Sequence, residues 1–305
     1  MWARVGVTSL AMAVLASGAL LGGCSRDRVE SVTAMNRGVE LAEHRRFPEA
    51  VEQLERAAAL DPTNAAAPYN LALVYMKLRA WNKAADALER TIAIKGDVAS
   101  YHEKLGTVAM QLSEWKRAKG ALERAIELDP ALFKAHYKLA QVDEHLDDPQ
   151  AALYAYTHAI ERGPRFVEAY IALGRLYADL GYPKQAVQVL REGEKAAIPS
   201  SEALARLHNV LGTVYQQQGD YEAAIRELQA ALTIVPGMPS ALFALGWTYA
   251  LRGDRDDARK YLERFIQVAD AQTPESYVAA ARERLAAFSE QNEAQDQAQD
   301  EPPSK

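Results

Sequence analysis

The hydrophobic positions of this chain fall into pairs of stripes with helical spacing, and a short polar break separates the two stripes of each pair. Between residues 99 and 130, the first stripe includes Leu105 and Leu112, and the second includes Ala118 and Leu122. Apolar residues three or four apart lie on one face of a helix. Each pair of stripes therefore predicts two short amphipathic helices joined by a tight turn.

A small residue recurs every 34 residues along most of the chain, at what we number the eighth position of each unit. One step differs, from Gly174 to Gly212, and it is 38 residues long. The small residues are Gly38, Ala72, Gly106, Ala140, Gly174, Gly212 and Gly246, and the alanines 12 residues after each are Ala50, Ala84, Ala118, Ala152, Ala186, Ala224 and Ala258. Helices that cross closely need small side chains at the contact. A fixed period of this length indicates a repeat array whose units bury their apolar faces against one another.

The repeated positions resemble the tetratricopeptide repeat family. The family's pattern of Leu-Gly, Tyr, Ala, an apolar residue, Ala and Pro is matched by Leu211, Gly212, Tyr215, Ala224, Leu228, Ala231 and Pro236. The resemblance covers residues 31–272 as seven units, which are 31–64, 65–98, 99–132, 133–166, 167–200, 205–238 and 239–272. It implies an all-α fold, a right-handed superhelical solenoid of seven helical hairpins whose first helices line a concave groove.

Three segments lie outside the regular units. The extra residues 201–204 amount to about one helical turn, and we expect them to lengthen the next helix from a cap at Ser200 or Ser201, a plain loop being the alternative. Residues 273–288 carry a single apolar stripe, which predicts a helix that caps the last repeat. The tail 289–305 is polar and acidic without aromatic residues, a composition typical of disorder.

The first 23 residues have the composition of a secretory signal peptide, because Arg4 precedes an uncharged apolar run and small residues. The sequence Leu-Gly-Gly before Cys24 resembles a bacterial lipobox, which implies cleavage before this cysteine and lipidation of its thiol. Residues 24–30 then form a short tether. An uncleaved transmembrane helix is the alternative, since the run is nearly long enough to span a bilayer. By resemblance to enterobacterial sorting, Ser25 favours the periplasmic face of the outer membrane over that of the inner membrane.

Composition and candidate chemistry favour a binding protein over an enzyme. The formal net charge is −6, and no basic stretch indicates binding to nucleic acid or to an anionic membrane surface. The chain has no glycine-rich phosphate loop and no His-Glu-x-x-His motif, and we expect no catalytic residue, cofactor, metal or small-molecule substrate. Ser113 and Lys116 have Ser-x-x-Lys spacing, but they fall at the turn between two repeat helices.

Two groups of residues have metal-binding side chains but are better explained by the repeat. Residues 143–148 contain four carboxylates and one histidine in a spacing that matches no ligand template, so we expect a solvated helix end with Asp148 as the next cap. His102, His136 and His208 share the fourth position of their units, which the family fills with an aromatic residue. Packing therefore explains these histidines better than a metal site does.

The surface with the clearest functional potential is the groove. In the family, positions 2, 5, 9, 12 and 13 of each unit point into it. The candidate partner-binding residues at such positions are Tyr69, Leu73, Met76, Met110, Tyr137, Gln141, Arg175, Asn209, Phe243 and Trp247. Aromatic and methionine side chains facing an open groove suit the anchoring of an extended peptide or a helix. For Phe243 and Trp247, packing against the capping helix or a neighbouring first helix is the alternative.

These features predict a non-enzymatic scaffold or adaptor that faces the periplasm and contacts the membrane only through its lipid. Its partner is expected to be a protein segment held in the groove. The architecture resembles the small repeat lipoproteins that assist type IV pilus secretin assembly, which suggests help in assembling an envelope complex such as a pilus or a secretion secretin. A second hypothesis is an adaptor for murein hydrolases or a periplasmic protease, and a third is an enzyme with an unrecognised site in the groove.

Overall fold

A computed structural model describes residues 21–299 of the chain, with side chains from Arg26 to Glu290. Within this range the regular elements are fifteen α-helices. None of these described helices is both long and apolar enough to cross a membrane. The predicted signal peptide falls outside the described residues up to position 20. The chain divides into two compact units, one ending at Arg162 and one beginning at Gly163.

The first unit contains four helical hairpins. Its helices are α1 (Leu21–Glu43), α2 (Phe47–Leu60), α3 (Ala66–Lys77), α4 (Trp81–Ile94), α5 (Ala99–Gln111), α6 (Trp115–Leu128), α7 (Phe133–His145) and α8 (Pro149–Arg162). Alanine and leucine side chains are buried between the two helices of each pair, and Leu54, Leu88 and Leu122 have no exposed surface. The unit is therefore a stack of hairpins with a narrow aliphatic core.

The second unit contains three further hairpins and a final helix. Its helices are α9 (Val167–Asp179), α10 (Pro183–Ala196), α11 (Glu202–Gln217), α12 (Tyr221–Ile234), α13 (Pro239–Arg252), α14 (Arg255–Val268) and α15 (Glu275–Gln299). The first helices α9, α11 and α13 lie side by side, and α15 packs against α14. The predicted all-α array of seven hairpins followed by a capping helix is confirmed.

The closest contact within a hairpin joins the eighth and twenty-fourth positions of the repeat. A Cβ atom built on Gly106 would lie 2.6 Å from Cγ of Leu122, and one on Gly212 would lie 2.5 Å from Cγ of Leu228. Contacts this short do not occur between real carbon atoms. The eighth position therefore accepts glycine or, after a small shift, a single methyl group such as that of Ala72, and this limit sets how closely the two helices cross.

Each hairpin turn contains one residue in the left-handed backbone region, at the fifteenth position of the repeat. Positive φ angles occur at Arg45, Arg79, Ser113 and Asp147 in the first unit and at Gly181, Gly219 and Gly253 in the second. The left-handed conformation costs a residue with a Cβ atom about 1–2 kcal/mol. The same turn is therefore built with strain in the first unit and largely without it in the second.

The extra residues before the sixth repeat extend a helix. α11 begins at Glu202, and the Oγ atom of Ser201 accepts a hydrogen bond from the backbone N–H of Leu204 at 3.2 Å. The predicted lengthening from a serine cap is confirmed, and the loop alternative is wrong. At 16 residues, α11 is longer than the first helices on either side of it.

The predicted tether differs from the structure. α1 begins at Leu21, so residues 24–30 are helical and continuous with the first helix of the first hairpin. The guanidinium of Arg26 pairs with the carboxylate of Glu30 one turn later, at 3.0 Å, which supports a helix. Since no glycine or proline interrupts these seven residues, the helix of the first repeat extends back through them.

The predicted disordered tail also differs from the structure, because α15 continues to Gln299. The segment 289–299 is rich in Glu, Gln and Ala, which are strong helix formers. A helix already begun by the docked part of α15 needs no new nucleus to extend through such residues. The rest of the predicted tail, 300–305, lies outside the described residues.

A buried carboxylate joins three helices of the second unit. Glu227 on α12 accepts hydrogen bonds from the guanidinium of Arg191 on α10 and from Nδ1 of His208 on α11, the latter at 2.8 Å. Burial opposes ionisation of this carboxyl, but hydrogen bonds from His208 and Arg191 outweigh it and hold the pKa of Glu227 below its ordinary value. The charged carboxylate therefore stabilises the junction of neighbouring hairpins.

Two glycines in open space should respond to alanine with opposite signs. A Cβ atom on Gly219 or on Gly120 would meet nothing within 4 Å, but Gly219 has a φ angle of +77° whereas Gly120 lies within α6. We expect Gly219→Ala to lower the free energy of unfolding by about 1 kcal/mol, and Gly120→Ala to raise it by about 0.5–1 kcal/mol. Urea denaturation followed by far-UV circular dichroism measures both. Equal effects of the two substitutions would contradict the assigned turn conformation.

A pH-dependent effect is expected for Glu227. We expect Glu227→Gln to lower the free energy of unfolding by about 2 kcal/mol at neutral pH, because the two donors lose a charged acceptor. Since the pKa of Glu227 is lowered in the folded protein, its contribution is present above the ordinary carboxyl pKa and is lost as the pH falls through the lowered value. The difference from wild type should shrink below about pH 4.

The control for this measurement is Glu263→Gln, because Glu263 is an exposed carboxylate on α14. The free energy of unfolding of this variant, measured in urea, should match that of wild type both at neutral pH and below about pH 4. A deficit of Glu227→Gln that stays constant as the pH falls would show that the carboxylate charge is not what stabilises the junction.

Candidate functional site

A pocket of about 700 Å³ opens on the face that α11 and α13 form in the second unit. We call it the terminal pocket. The connection between α14 and α15 and the start of α15 close its far side. The residues that line it are Asn209, Thr213, Gln216, Gln217, Pro239, Ser240, Phe243, Ala244, Trp247, Phe265, Asp270, Gln272, Thr273, Pro274 and Tyr277.

Four aromatic rings form one wall of the terminal pocket, with Phe243 at their centre. The centroid of its ring lies 5.6 Å from that of Trp247, 4.9 Å from that of Tyr277 and 5.2 Å from that of Phe265. Phe265 is buried in the core, whereas Tyr277 is 50% exposed. The wall therefore runs from the core out to solvent, and Phe243 and Trp247 are partly buried between these ends.

The capping helix also covers part of this wall. The guanidinium carbon of Arg284 on α15 lies 4.8 Å from the ring centroid of Trp247, which is a cation–π distance. Phe243 contacts Tyr277 on the same helix. Each ring therefore contacts the capping helix, as the packing alternative expected, and each also lines the pocket, while partner binding by these rings stays a prediction.

The opposite wall is polar and comes from α11. The hydroxyl of Thr213 donates a hydrogen bond to the carbonyl of Val210 at 2.8 Å. Nε2 of Gln216 donates to Oγ1 of Thr248 at 2.6 Å and to a backbone carbonyl of α13. Oδ1 of Asn209 is buried and has no hydrogen-bond partner within the described part of the chain. This wall thus has one polar atom whose hydrogen-bonding capacity is unused.

The connection from α14 to α15 is held in place by one carboxylate. Oδ1 of Asp270 accepts hydrogen bonds from the backbone N–H of Gln272 at 2.9 Å and from the N–H and hydroxyl of Thr273 at 3.2 Å. Such a side chain to backbone loop is a common way to fix a turn. It fixes the segment that closes the pocket.

The candidate residues of the first unit lie closer to the core than predicted. Tyr69 is only 9% exposed, and its ring centroid lies 4.7 Å from that of Tyr101. Leu73 and Met76 are partly buried against the same core, and Met110 is partly buried against the next one. The prediction that Tyr69 offers open groove surface is therefore corrected, because its ring is used in packing between α3 and α5.

The other predicted partner-binding residues do not form a single site. Nε2 of Gln141 donates to the hydroxyl of Tyr137 at 3.3 Å, and the Tyr137 ring lies 5.6 Å from that of Tyr156. Arg175 is exposed on α9 of the second unit. The terminal pocket brings together the last three candidates, Asn209, Phe243 and Trp247.

The first helices of the first unit also share a buried ion pair. Glu103 on α5 pairs with Lys138 on α7 and with Lys104, and Nζ of Lys138 donates to Oγ1 of Thr107 at 2.7 Å. Burial opposes ionisation of Glu103, but the two lysines hold its pKa below the ordinary value. The charges of this pair satisfy each other, so we assign it to the packing of α5 against α7.

The acidic segment 143–148 is divided among different structural roles. Asp143 is buried and accepts a hydrogen bond from Nζ of Lys119 at 2.7 Å. Oδ1 of Asp148 accepts from the backbone N–H of Ala151 at 3.0 Å, as a helix cap does. Across the described residues, no group of three His, Cys, Asp or Glu side chains is placed to hold a metal.

Side chains at the fourth position of the repeat bind the backbone six residues earlier. The pairs are His102 with the carbonyl of Gly96 at 2.9 Å, His136 with that of Pro130 at 3.1 Å and Tyr170 with that of Pro164 at 3.1 Å. His208 instead binds Glu227. These four residues therefore hold helix ends and junctions together, as the packing explanation requires.

The sequence did not predict the side of the pocket that lies beyond α14. Asp270 is near the end of the seventh unit and Thr273 and Tyr277 follow that unit, and none of them occupies a recurring repeat position. The signal was the sequence Thr-Pro-Glu at 273–275, a helix start directly after the last unit. A helix that starts this soon after the last unit has its first turn beside the last hairpin.

Comparison with known proteins agrees with the helical hairpins. Four family models, each described as a tetratricopeptide repeat, match residues 41–106, 103–161, 167–197 and 203–271. The search of curated proteins gave no match.

Several solved structures share the fold. A crystal structure of MamA has 25% sequence identity and a TM-score of 0.53, over 55% of this chain and 91% of MamA. YrrB, described as a TPR protein with an unusual peptide-binding site, has 22% identity and a TM-score of 0.51, over 64% of this chain and 98% of YrrB.

PilF of Pseudomonas aeruginosa has 16% identity and a TM-score of 0.57, over 72% of this chain and 96% of PilF. At these identities, the likeness to YrrB and PilF is one of fold. The repeat matches, taken with the seven hairpins, show that the chain belongs to the tetratricopeptide repeat family, whose members are protein-interaction scaffolds.

Proposed function

We propose that this chain binds a segment of a partner protein on the first helices of its hairpins, with the terminal pocket as the main anchor. The observation that carries the proposal is the partly exposed wall of Phe243, Trp247 and Tyr277 in a pocket of about 700 Å³. Pockets of about 300–1,000 Å³ with a few polar groups are typical binding sites. Aromatic residues also dominate the energetics of many protein interfaces. YrrB, which shares the fold, is described as having a peptide-binding site.

The proposal includes a lipid anchor at Cys24. It rests on the lipobox-like sequence and on the signal-like composition before it. α1 runs from Leu21 through this position into the first hairpin. Seven residues of helix span about 10 Å, so the lipid would hold the first hairpin close to the membrane surface. We place the anchor on the periplasmic face of the outer membrane, with the inner membrane as the alternative.

An anchored protein-binding array suits the assembly of an envelope complex. Anchoring confines the binding face to a thin layer and raises the local concentration of any partner in the same membrane. A pilus or secretion secretin is the proposed client, with murein hydrolases or a periplasmic protease as the alternative. The identity of a protein captured at the terminal pocket separates these two classes.

A photo-crosslinking experiment tests the binding face. Gln217 lines the terminal pocket and is exposed, whereas Arg226 is exposed on α12, a second helix. With a photoreactive amino acid at each position in turn, we expect a partner to be crosslinked in cells at position 217 and not at position 226. Mass spectrometry then tells whether secretin subunits or hydrolases and proteases are captured.

Two substitutions in the aromatic wall complete the test. Trp247→Ala and Tyr277→Ser should each reduce crosslinking at position 217, by about tenfold for a residue that anchors the partner. Tyr277 is half exposed, so its variant separates binding from folding, and thermal melting checks both proteins. Undiminished crosslinking in two well-folded variants would remove the pocket from the proposal.

Metabolic labelling tests the anchor separately. We expect radiolabelled palmitate to enter the wild-type chain and not Cys24→Ser, because Cys24 is the single cysteine of the sequence. The variant should also leave the membrane fraction or keep its signal peptide. A wild-type chain that never takes up label would overturn the lipid anchor and leave the binding face standing.

A further inference from the structure

Three polar side chains around the terminal pocket have donors that are already used within the protein. The hydroxyls of Thr213 and Thr273 donate to Val210 and Asp270, and the Gln216 amide donates to two oxygen atoms of α13. The side-chain oxygen atoms of these three residues still have lone pairs that can accept a hydrogen bond. A ligand that brings hydrogen-bond donors can pair with these oxygens.

Oδ1 of Asn209 reinforces this pattern. It is buried and accepts no hydrogen bond in the described part of the chain. A buried acceptor without a donor destabilises the protein, because it has lost its hydrogen bonds to water. A donor-rich ligand that reached this atom would recover that energy, whereas a carboxylate would place two acceptors beside it.

The charge of the residues that line the pocket also favours a ligand with hydrogen-bond donors, in particular a cation. Asp270 is the one lining residue with a charged side chain, counted over the described residues. Its Oδ1 atom holds the loop through Gln272 and Thr273, and Oδ2 makes no described hydrogen bond. A cation is the counterpart that such a carboxylate favours.

The aromatic wall also suits a cation. The ring centroid of Phe243 lies 5.6 Å from that of Trp247 and 4.9 Å from that of Tyr277. The face of an aromatic ring attracts a cation that lies within about 6 Å of its centroid. The guanidinium carbon of Arg284 lies 4.8 Å from the ring centroid of Trp247, so the chain itself places one cation against this wall and leaves the rings of Phe243 and Tyr277 for a cation of the partner.

From these observations we propose that the terminal pocket selects an arginine side chain in the bound partner segment. The inference rests on the proposed function, because it names the chemistry that the same pocket recognises. The planar guanidinium stacks on aromatic rings and carries five donors in a fixed geometry that matches a carboxylate such as that of Asp270. Lysine brings the charge and three donors but no planar face, so it should bind more weakly.

A set of peptides that differ at one position tests the proposal. The probes are acetyl-Ala-Ala-Leu-X-Leu-Ala-Ala-amide with X as arginine, lysine, citrulline or glutamate, titrated calorimetrically into the full chain in detergent. Citrulline keeps the shape of arginine and removes its charge. We expect arginine to bind about tenfold more tightly than citrulline, which corresponds to about 1.4 kcal/mol, with lysine between them and glutamate weakest.

Two variants assign that preference to the pocket. Asp270→Asn keeps an acceptor for the loop and removes the charge, and should reduce the preference for arginine over citrulline to about threefold or less. Glu263→Gln removes an exposed charge from α14 outside the pocket and should leave the preference at about tenfold. Thermal melting confirms that both variants fold.

Several results would overturn the proposal. Citrulline binding as tightly as arginine would make the pocket an apolar site, and tighter binding of glutamate would reverse its charge preference. An arginine preference that survives Asp270→Asn, or no binding of any probe, would also contradict it. The crosslinking at position 217 is read independently, so protein binding at the pocket can stand while its selectivity for arginine falls.

Discussion

The two helices of each hairpin meet where the eighth residue of the repeat has almost no side chain and the twenty-fourth fills the space. At Gly106 the missing Cβ atom leaves room for Leu122, which is fully buried. Burial of such a leucine is worth about 1.5–3 kcal/mol, but only if the helices approach closely. A hairpin built this way still exposes one apolar face, and that face is covered by its neighbour. The array, the side-by-side first helices and the positions free to face a partner all depend on this crossing.

The terminal pocket forms where the repetition ends. Within the array, each first helix is flanked by others of the same kind, and rings such as Tyr69 are taken up between them. After α13 the neighbour is instead a loop fixed by Asp270 and a single capping helix. This irregular neighbour packs against only part of Phe243 and Trp247 and leaves a cavity beside them. The pocket thus exists because the array ends here. Its side chains come both from the last repeats and from a segment that does not have the repeat pattern.

Features that recur with the repeat could be predicted from the sequence. Features that depend on a contact with one particular neighbouring residue could not. Gly106 and Leu122 recur in register, so helix pairing and hairpin number could be read directly. The serine cap before α11 was also predictable, because four residues make about one turn. Burial of Tyr69 depends on the facing Tyr101, a pairing that the repeat does not specify. The helical stretch 289–299 was missed because its polar composition was taken as a sign of disorder, and the stretch 24–30 because it was taken as a tether after Cys24. The residues of both favour helix once a turn exists to extend.

The position of the capping segment has a consequence for how the protein matures. Tyr277 and the loop around Asp270 follow α14, so they are synthesised after every hairpin. The hairpins before them contain everything needed to pack with one another while translation is still under way. A product terminated early by a nonsense codon or trimmed by a protease near residue 270 would keep its hairpins, with Phe243 and Trp247, and would lack Tyr277 and the capping helix that close the terminal pocket. The terminal pocket is therefore complete only after the segment that follows the last hairpin has been made.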